Sequence, residues 1–132
     1  MKLYLALAGA AVGLMAQAPK QETPFACNLG AMSAEARKRH IDIVSPRLRD
    51  LHTSVRELPD GIEFEFPSDS AAFRLVTEWM EGERACCPFF DFILRMEREG
   101  GSLWLRLTGR TGVKDFIQAE FGRWLTKPTS GR

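Results

Sequence analysis

Residues 59–66 read PDGIEFEF, and this stretch decides the fold. Its apolar positions 62, 64 and 66 alternate strictly with two glutamates, which is the period-two pattern of a strand with one buried face. Pro59-Asp60-Gly61 is typical of a turn, and residues 55–58 supply a partner strand. The stretch therefore predicts a half-buried hairpin, with Glu63 on the other face, where Glu63→Ala should do little.

A helix is predicted directly after this hairpin. Ser68 or Asp69 can cap its N-terminus, and Pro88 requires it to stop earlier. Apolar residues recur at the three- and four-residue spacing of one helical face; they are Ala72, Leu75, Val76, Trp79 and Met80. The hairpin and this helix together form a ββα unit.

The same order occurs again further along the chain. Residues 90–97 alternate, Gly100-Gly101 supplies a turn into the strand 103–107, and Thr111 can cap a last helix. The inner side of that helix is predicted to carry Val113, Phe116, Ile117, Phe121 and Trp124. Two ββα units predict an α+β domain with a four-stranded antiparallel sheet and helices on one face, burying Phe64, Phe92, Leu105 and Phe116 together. The alternative is coincidence between two generic amphipathic units.

An N-terminal helical segment precedes the first unit. Ser33 can cap a helix that starts at Ala34 and places Ala36, His40, Ile43 and Val44 on one side. Pro46 is expected to end or kink this helix, and Ser45-Pro46 can start a second short one. His52, near the end of that second helix, is expected to be a surface or partly buried polar residue.

The first eighteen residues resemble an export leader. Lys2 is followed by the apolar or small run 3–15 and by Ala16-Gln17-Ala18, so residues 1–18 are predicted to be a signal peptide with mature protein starting at Gln17 or Pro19. The run is too short for a permanent membrane anchor. We expect a linker at 19–26, one domain at 27–126, a disordered tail at 127–132, and a periplasmic or secreted location. The alternative is a non-functional leader and a cytoplasmic protein.

Composition excludes several functions without naming one. A chain of 132 residues has room for one domain, and a formal net charge of +1 gives no electrostatic footprint for nucleic acid or anionic lipid. The sequence contains no glycine-rich phosphate loop, no G-x-S-x-G and no H-E-x-x-H motif. No reaction is therefore specified, and binding without turnover is favoured over an enzyme.

The distinctive chemistry lies in three cysteines. Cys86 and Cys87 end the first predicted amphipathic helix, with Glu83 one helical turn before them. Cys27 is the natural third ligand if the N-terminal segment folds back over that helix end, and His40 or Glu83 could complete the site. Thiolate and imidazole ligands suit zinc, copper(I) or mercury(II). The residues predict a soft-metal site.

Two other uses of the cysteines stay open. A thiol-redox or thiol-transfer enzyme is one, although a helix C-terminus disfavours a thiolate and no C-x-x-C spacing occurs. A structural or interaction module with inert, buried cysteines is the other. A disulfide from Cys27 to one of its partners is a further option, since an odd number of cysteines cannot all pair within one chain.

The segment Glu83-Arg84-Ala85-Cys86-Cys87-Pro88-Phe89, together with residues 57–61 and 103–109, resembles a family of small uncharacterised bacterial proteins with an E-R-x-C-C-P-F motif. The resemblance runs from about Cys27 to Phe121. Similar segments occur behind mercury-responsive-type regulators, which implies metal sensing or sequestration. The leader departs from the family, whose members start close to Cys27, and this puts a cytoplasmic role in doubt.

Overall fold

The structure is a computed structural model and describes residues 17–19 and 21–126. Most of the predicted leader and the whole predicted tail lie outside the described residues. The elements are a 3₁₀ turn (Leu29–Ala31), α1 (Ala34–Arg39), a π-helical segment (His40–Val44), α2 (Ser45–Leu51), β1 (Ser54–Leu58), β2 (Gly61–Phe66), α3 (Ser70–Cys86), β3 (Asp91–Met96), β4 (Leu103–Thr108), α4 (Val113–Glu120) and α5 (Gly122–Leu125). No helix among them is long and apolar enough to cross a membrane.

The four strands form one antiparallel sheet in the order β1-β2-β4-β3. Its two central strands come from different ββα units, and Phe64 of β2 lies opposite Leu105 of β4. Ile62 pairs with Leu107 and Phe66 with Leu103, so the pairing is symmetrical about Phe64. The predicted α+β fold is confirmed, and the sheet joins the two units through their second strands.

The core lies between one sheet face and the helices. Its largest fully buried side chains include Trp79, Phe64, Phe66, Leu48, Leu103, Leu105, Leu107 and Ile117. Of the four residues predicted to be buried together, Phe64 and Leu105 are fully buried, whereas Phe92 and Phe116 are only partly buried against this core. Phe92 differs from Phe64 because β3 is an edge strand, with a neighbour on one side only.

Glu63 departs most from its predicted environment. The alternation places it on the sheet face without helices, yet the residue is only 2% exposed. Arg56 and Arg106 contact its carboxylate at 3.1 and 3.3 Å, and the Arg56 guanidinium also lies 4.2 Å from the ring centre of Trp104. The long neighbouring side chains cover the carboxylate.

Glu63→Ala should therefore lower the free energy of unfolding, by about 1–3 kcal/mol, instead of doing little. Removal of the carboxylate leaves two guanidinium groups without their shared counterion, although their partial exposure reduces the penalty below that of a fully buried pair. Urea denaturation measures the effect, and Glu57→Ala, at an exposed glutamate, is the control. Equal midpoints for the two variants would contradict the assigned burial.

The N-terminal helices follow the predicted bounds with one change of geometry. Ser33 caps α1 by accepting the Ala36 N–H at 3.1 Å. Pro46 lies in the first turn of α2. The preceding helix does not end before it but continues through the π-helical segment into α2. This turn buries His40 and Val44, whereas Ile43, predicted on the same face, is exposed.

Two further local predictions need correction. Thr111 does not cap α4; Gly112 holds the N-cap position at φ +98°, which favours glycine. His52, expected at or near the surface, is buried, with Nδ1 against the Arg49 carbonyl and its ring against Phe64 and Trp124.

Candidate metal centre

The site is built at the C-terminal end of α3. Asp69 caps the start of this helix by accepting the N–H groups of Ala71 and Ala72, as the sequence predicts for that position. The buried face of α3 continues to Glu83 and Cys86, which are three residues apart and therefore neighbours on one side. The helix ends at Cys86, two residues before Pro88, so both cysteines sit where the chain leaves the helix.

Three potential ligands converge at this end. The Nε2 atom of His40 lies 2.9 Å from Oε1 of Glu83, and Sγ of Cys86 lies 3.9 Å from Oε2 of the same carboxylate. One ligand atom from each residue lies within 4.8 Å of the others, and all three side chains are buried. These residues, called the triad below, could hold a metal ion.

The π-helical segment and a glycine bring His40 to α3. His40 is the first residue of the π segment, and its ring packs directly on Gly82. A Cβ atom at position 82 would lie only 2.4 Å from Nδ1 of that ring. Glycine inside a helix costs stability, so its presence in α3 is explained by the space that His40 needs.

Gly82→Ala should destabilise the protein, by about 1–3 kcal/mol, because the added methyl group must displace the His40 ring. The usual effect in a helix interior has the opposite sign, a gain of about 0.5–1 kcal/mol. Thermal or urea denaturation measures the change. Gly122→Ala is the matched control, since a Cβ there meets nothing within 4 Å. A stabilised Gly82→Ala variant would contradict the packing of His40.

The other two cysteines meet beside the triad. Sγ of Cys27 lies 2.9 Å from Sγ of Cys87, and Sγ of Cys87 lies 3.7 Å from Sγ of Cys86. Cys87 is fully buried, whereas Cys27 is exposed. The predicted return of the N-terminal segment over the end of α3 is present, because the Asn28 N–H donates to the Cys86 carbonyl at 2.8 Å.

Residues 21–32, called the N-terminal strap below, are held against the domain by contacts of Phe25 and Glu22. The ring of Phe25 packs edge-on against Phe89 at 5.2 Å, and the Arg110 guanidinium lies 4.1 Å from the centre of the same ring. Arg110 also pairs with Glu22 at 3.1 Å. Because Phe25 fills the space beside Gly112, the strap is fitted to the fold and Cys27 with it.

The three thiols differ in acidity. Partial burial of its sulfur raises the pKa of Cys27, although the residue as a whole is exposed. The hydrogen bond with Cys86, burial and the charge of Glu83 raise the pKa of Cys87. The same hydrogen bond lowers the pKa of Cys86, because it stabilises a thiolate there. Cys86, the thiol whose pKa this hydrogen bond lowers, is the one that belongs to the triad.

All five predicted site residues lie at this end of the domain, but in two groups. His40, Glu83 and Cys86 form the triad, while Cys27 contacts Cys87. Gly82 was not predicted as part of the site. The one indication in the sequence was the presence of a glycine inside an amphipathic helix. His40 also lines a cleft of about 350 Å³, which the side chains of Met32 and Ala36 border.

Comparison of the chain with models of protein families, with curated proteins and with solved structures gives no match.

Proposed function

We propose that this protein binds a soft or borderline metal ion at the end of α3, with His40, Glu83 and Cys86 as ligands. The observation that carries the proposal is the burial of an imidazole, a carboxylate and a thiol with their ligand atoms within 4.8 Å of one another. Nitrogen, oxygen and sulfur donors together suit zinc, and the thiols also suit copper(I) and mercury(II).

The charge balance around Glu83 supports a cation at this place. Among the described residues, His40 is its only ion-pair partner, and that pair is charged only when the imidazole is protonated. A buried carboxylate without a cation is costly. A metal ion would neutralise Glu83 and deprotonate Cys86, so the dipole at the helix end would no longer oppose a thiolate.

The number of ligands favours metal handling over a structural role. Structural zinc sites are closed by four protein ligands, whereas the triad supplies three. Cys87 is the nearest further thiol, 3.7 Å from the sulfur of Cys86. A site with one exchangeable position can receive an ion and pass it on.

The leader supports the same role outside the cytoplasm. Lys2, the apolar run at 3–15 and the small residues at 16–18 have the layout of a cleaved signal peptide. We propose that the mature protein handles its ion in the periplasm or after secretion, without catalytic turnover.

Titration of the fully reduced protein with zinc, copper(I) and mercury(II) tests the proposal. We expect one ion of at least one of these metals per chain. Glu83→Gln should bind it about 10–100-fold more weakly, the loss typical of a supporting group, because glutamine keeps an oxygen donor at this position and removes only the charge. Glu81→Gln is the matched control, because Glu81 is an exposed glutamate on the same helix. Identical binding by the wild type and Glu83→Gln, or no binding of any of the three metals, would exclude the proposed site and favour inert, buried cysteines.

A further inference from the structure

We propose that Cys27 and Cys87 form an intramolecular disulfide under oxidising conditions, which fastens the N-terminal strap to the end of α3 and leaves Cys86 as a free thiol. The proposal goes beyond metal binding and does not depend on it.

The geometry of the strap selects this pair. The sulfurs of Cys27 and Cys87 lie 2.9 Å apart, closer than the 3.7 Å that separates the sulfurs of Cys87 and Cys86. The backbone hydrogen bond from Asn28 to Cys86 fixes the residue after one cysteine to the residue before the other. The ring of Phe25 contacts Phe89 and Arg110, and these contacts also fix the strap. In the folded chain the two distant cysteines are already in contact, so formation of the disulfide requires little further loss of chain entropy.

The competing pairs are less suitable. Cys86 and Cys87 are adjacent in the chain, so a bond between them would close a small strained ring and distort the last turn of α3. Their sulfurs lie 3.7 Å apart, and Sγ of Cys86 also lies near Glu83. Cys87 is the cysteine whose sulfur lies within hydrogen-bond distance of Cys27, at 2.9 Å.

Accessibility gives the order of the chemical steps with a small-molecule disulfide as oxidant. The thiolate of Cys27, the exposed cysteine, attacks one sulfur of the oxidant and displaces the first small thiol. Cys87 then loses its proton and attacks the Cys27 sulfur of this mixed disulfide, which releases the second small thiol. The two cysteine protons go to the two released thiols, and the two electrons reduce the oxidant.

Oxidised glutathione and the metal-free, reduced protein provide the test. After incubation, unreacted thiols are alkylated and the digest is mapped by mass spectrometry. We expect a peptide pair linked through Cys27 and Cys87, an alkylated Cys86, and a protein lighter by two hydrogen atoms. The thermal midpoint should rise by at least about 5 °C, since a crosslink over a long loop restricts the unfolded chain.

Two variants test which pair of cysteines forms the disulfide. Cys86→Ser should form the same disulfide as the wild type, whereas Cys27→Ser, at an exposed position, should fold and form no intramolecular disulfide. A Cys86–Cys87 bond, a disulfide between two chains, or three alkylated cysteines after oxidation would each overturn the proposal. Because no metal is added, these results are independent of the metal-binding experiment.

Discussion

Cys86→Ser should lower the affinity of the reduced protein for mercury(II) or zinc by more than about 100-fold, because a lost direct ligand should cost more than the 10–100-fold typical of supporting groups. Cys86 is the only thiol of the triad, and the hydrogen bond with Cys87 lowers its pKa. Serine keeps the size of the side chain but offers a harder donor with a far less available anion. Competition against a chelator of known affinity measures the loss.

Cys27→Ser provides the matched control for this prediction. Its sulfur contacts Cys87 but does not belong to the triad, so its replacement should weaken binding much less than that of Cys86. Binding to the wild type should release protons, and affinity should therefore rise with pH, because the thiol must ionise to coordinate. If Cys86→Ser binds as tightly as Cys27→Ser, the triad is not the metal site.

Phe64→Ala should lower the free energy of unfolding by about 3–5 kcal/mol, as large aromatic truncations in cores do. The side chain is fully buried on a central strand, opposite Leu105, and its ring contacts His52 and Trp124 at centre distances of 5.8 and 5.5 Å. Neighbours on both sides of β2 prevent the sheet from closing the cavity. Urea denaturation monitored by tryptophan fluorescence or circular dichroism gives the change.

Phe92→Ala is the matched comparison, with the same chemical change on the edge strand β3. Because Phe92 is only partly buried, its truncation should cost about half as much as that of Phe64, in line with the smaller apolar area removed from the core. Equal costs for the two variants would contradict the placement of the core beneath the central strands.

Much of the fold follows from local patterns in the chain. The alternation at 62–66 and 103–107 predicts two strands with one apolar face, and the repeated order of strand, cap and helix predicts the second use of the same unit. The two hairpins join in one sheet because neither hairpin could bury its apolar face alone. Local patterns were less successful at element ends, where Gly112 with its positive φ replaces Thr111 as the cap of α4.

Part of the candidate site was also accessible from sequence. Helical spacing places Glu83 and Cys86 on one face, and Pro88 places both adjacent cysteines at the helix end. The arrival of His40 at this helix end could not be derived in this way. It depends on a π-helical turn and on the missing side chain of Gly82, which together bring one imidazole against α3.

The sequence by itself determined the fold class, the strand faces and the residues from which a site could be built, because periodicity reports which side of a local element is apolar. Only the tertiary structure decided how those residues are grouped, separating His40, Glu83 and Cys86 from the contact between Cys27 and Cys87. It also decided that Glu63 is buried on a face whose pattern predicts solvent. In each case the physical reason is the same: a side chain's burial and partners depend on which distant segments pack against it, and the spacing of residues along one strand or helix does not contain that information.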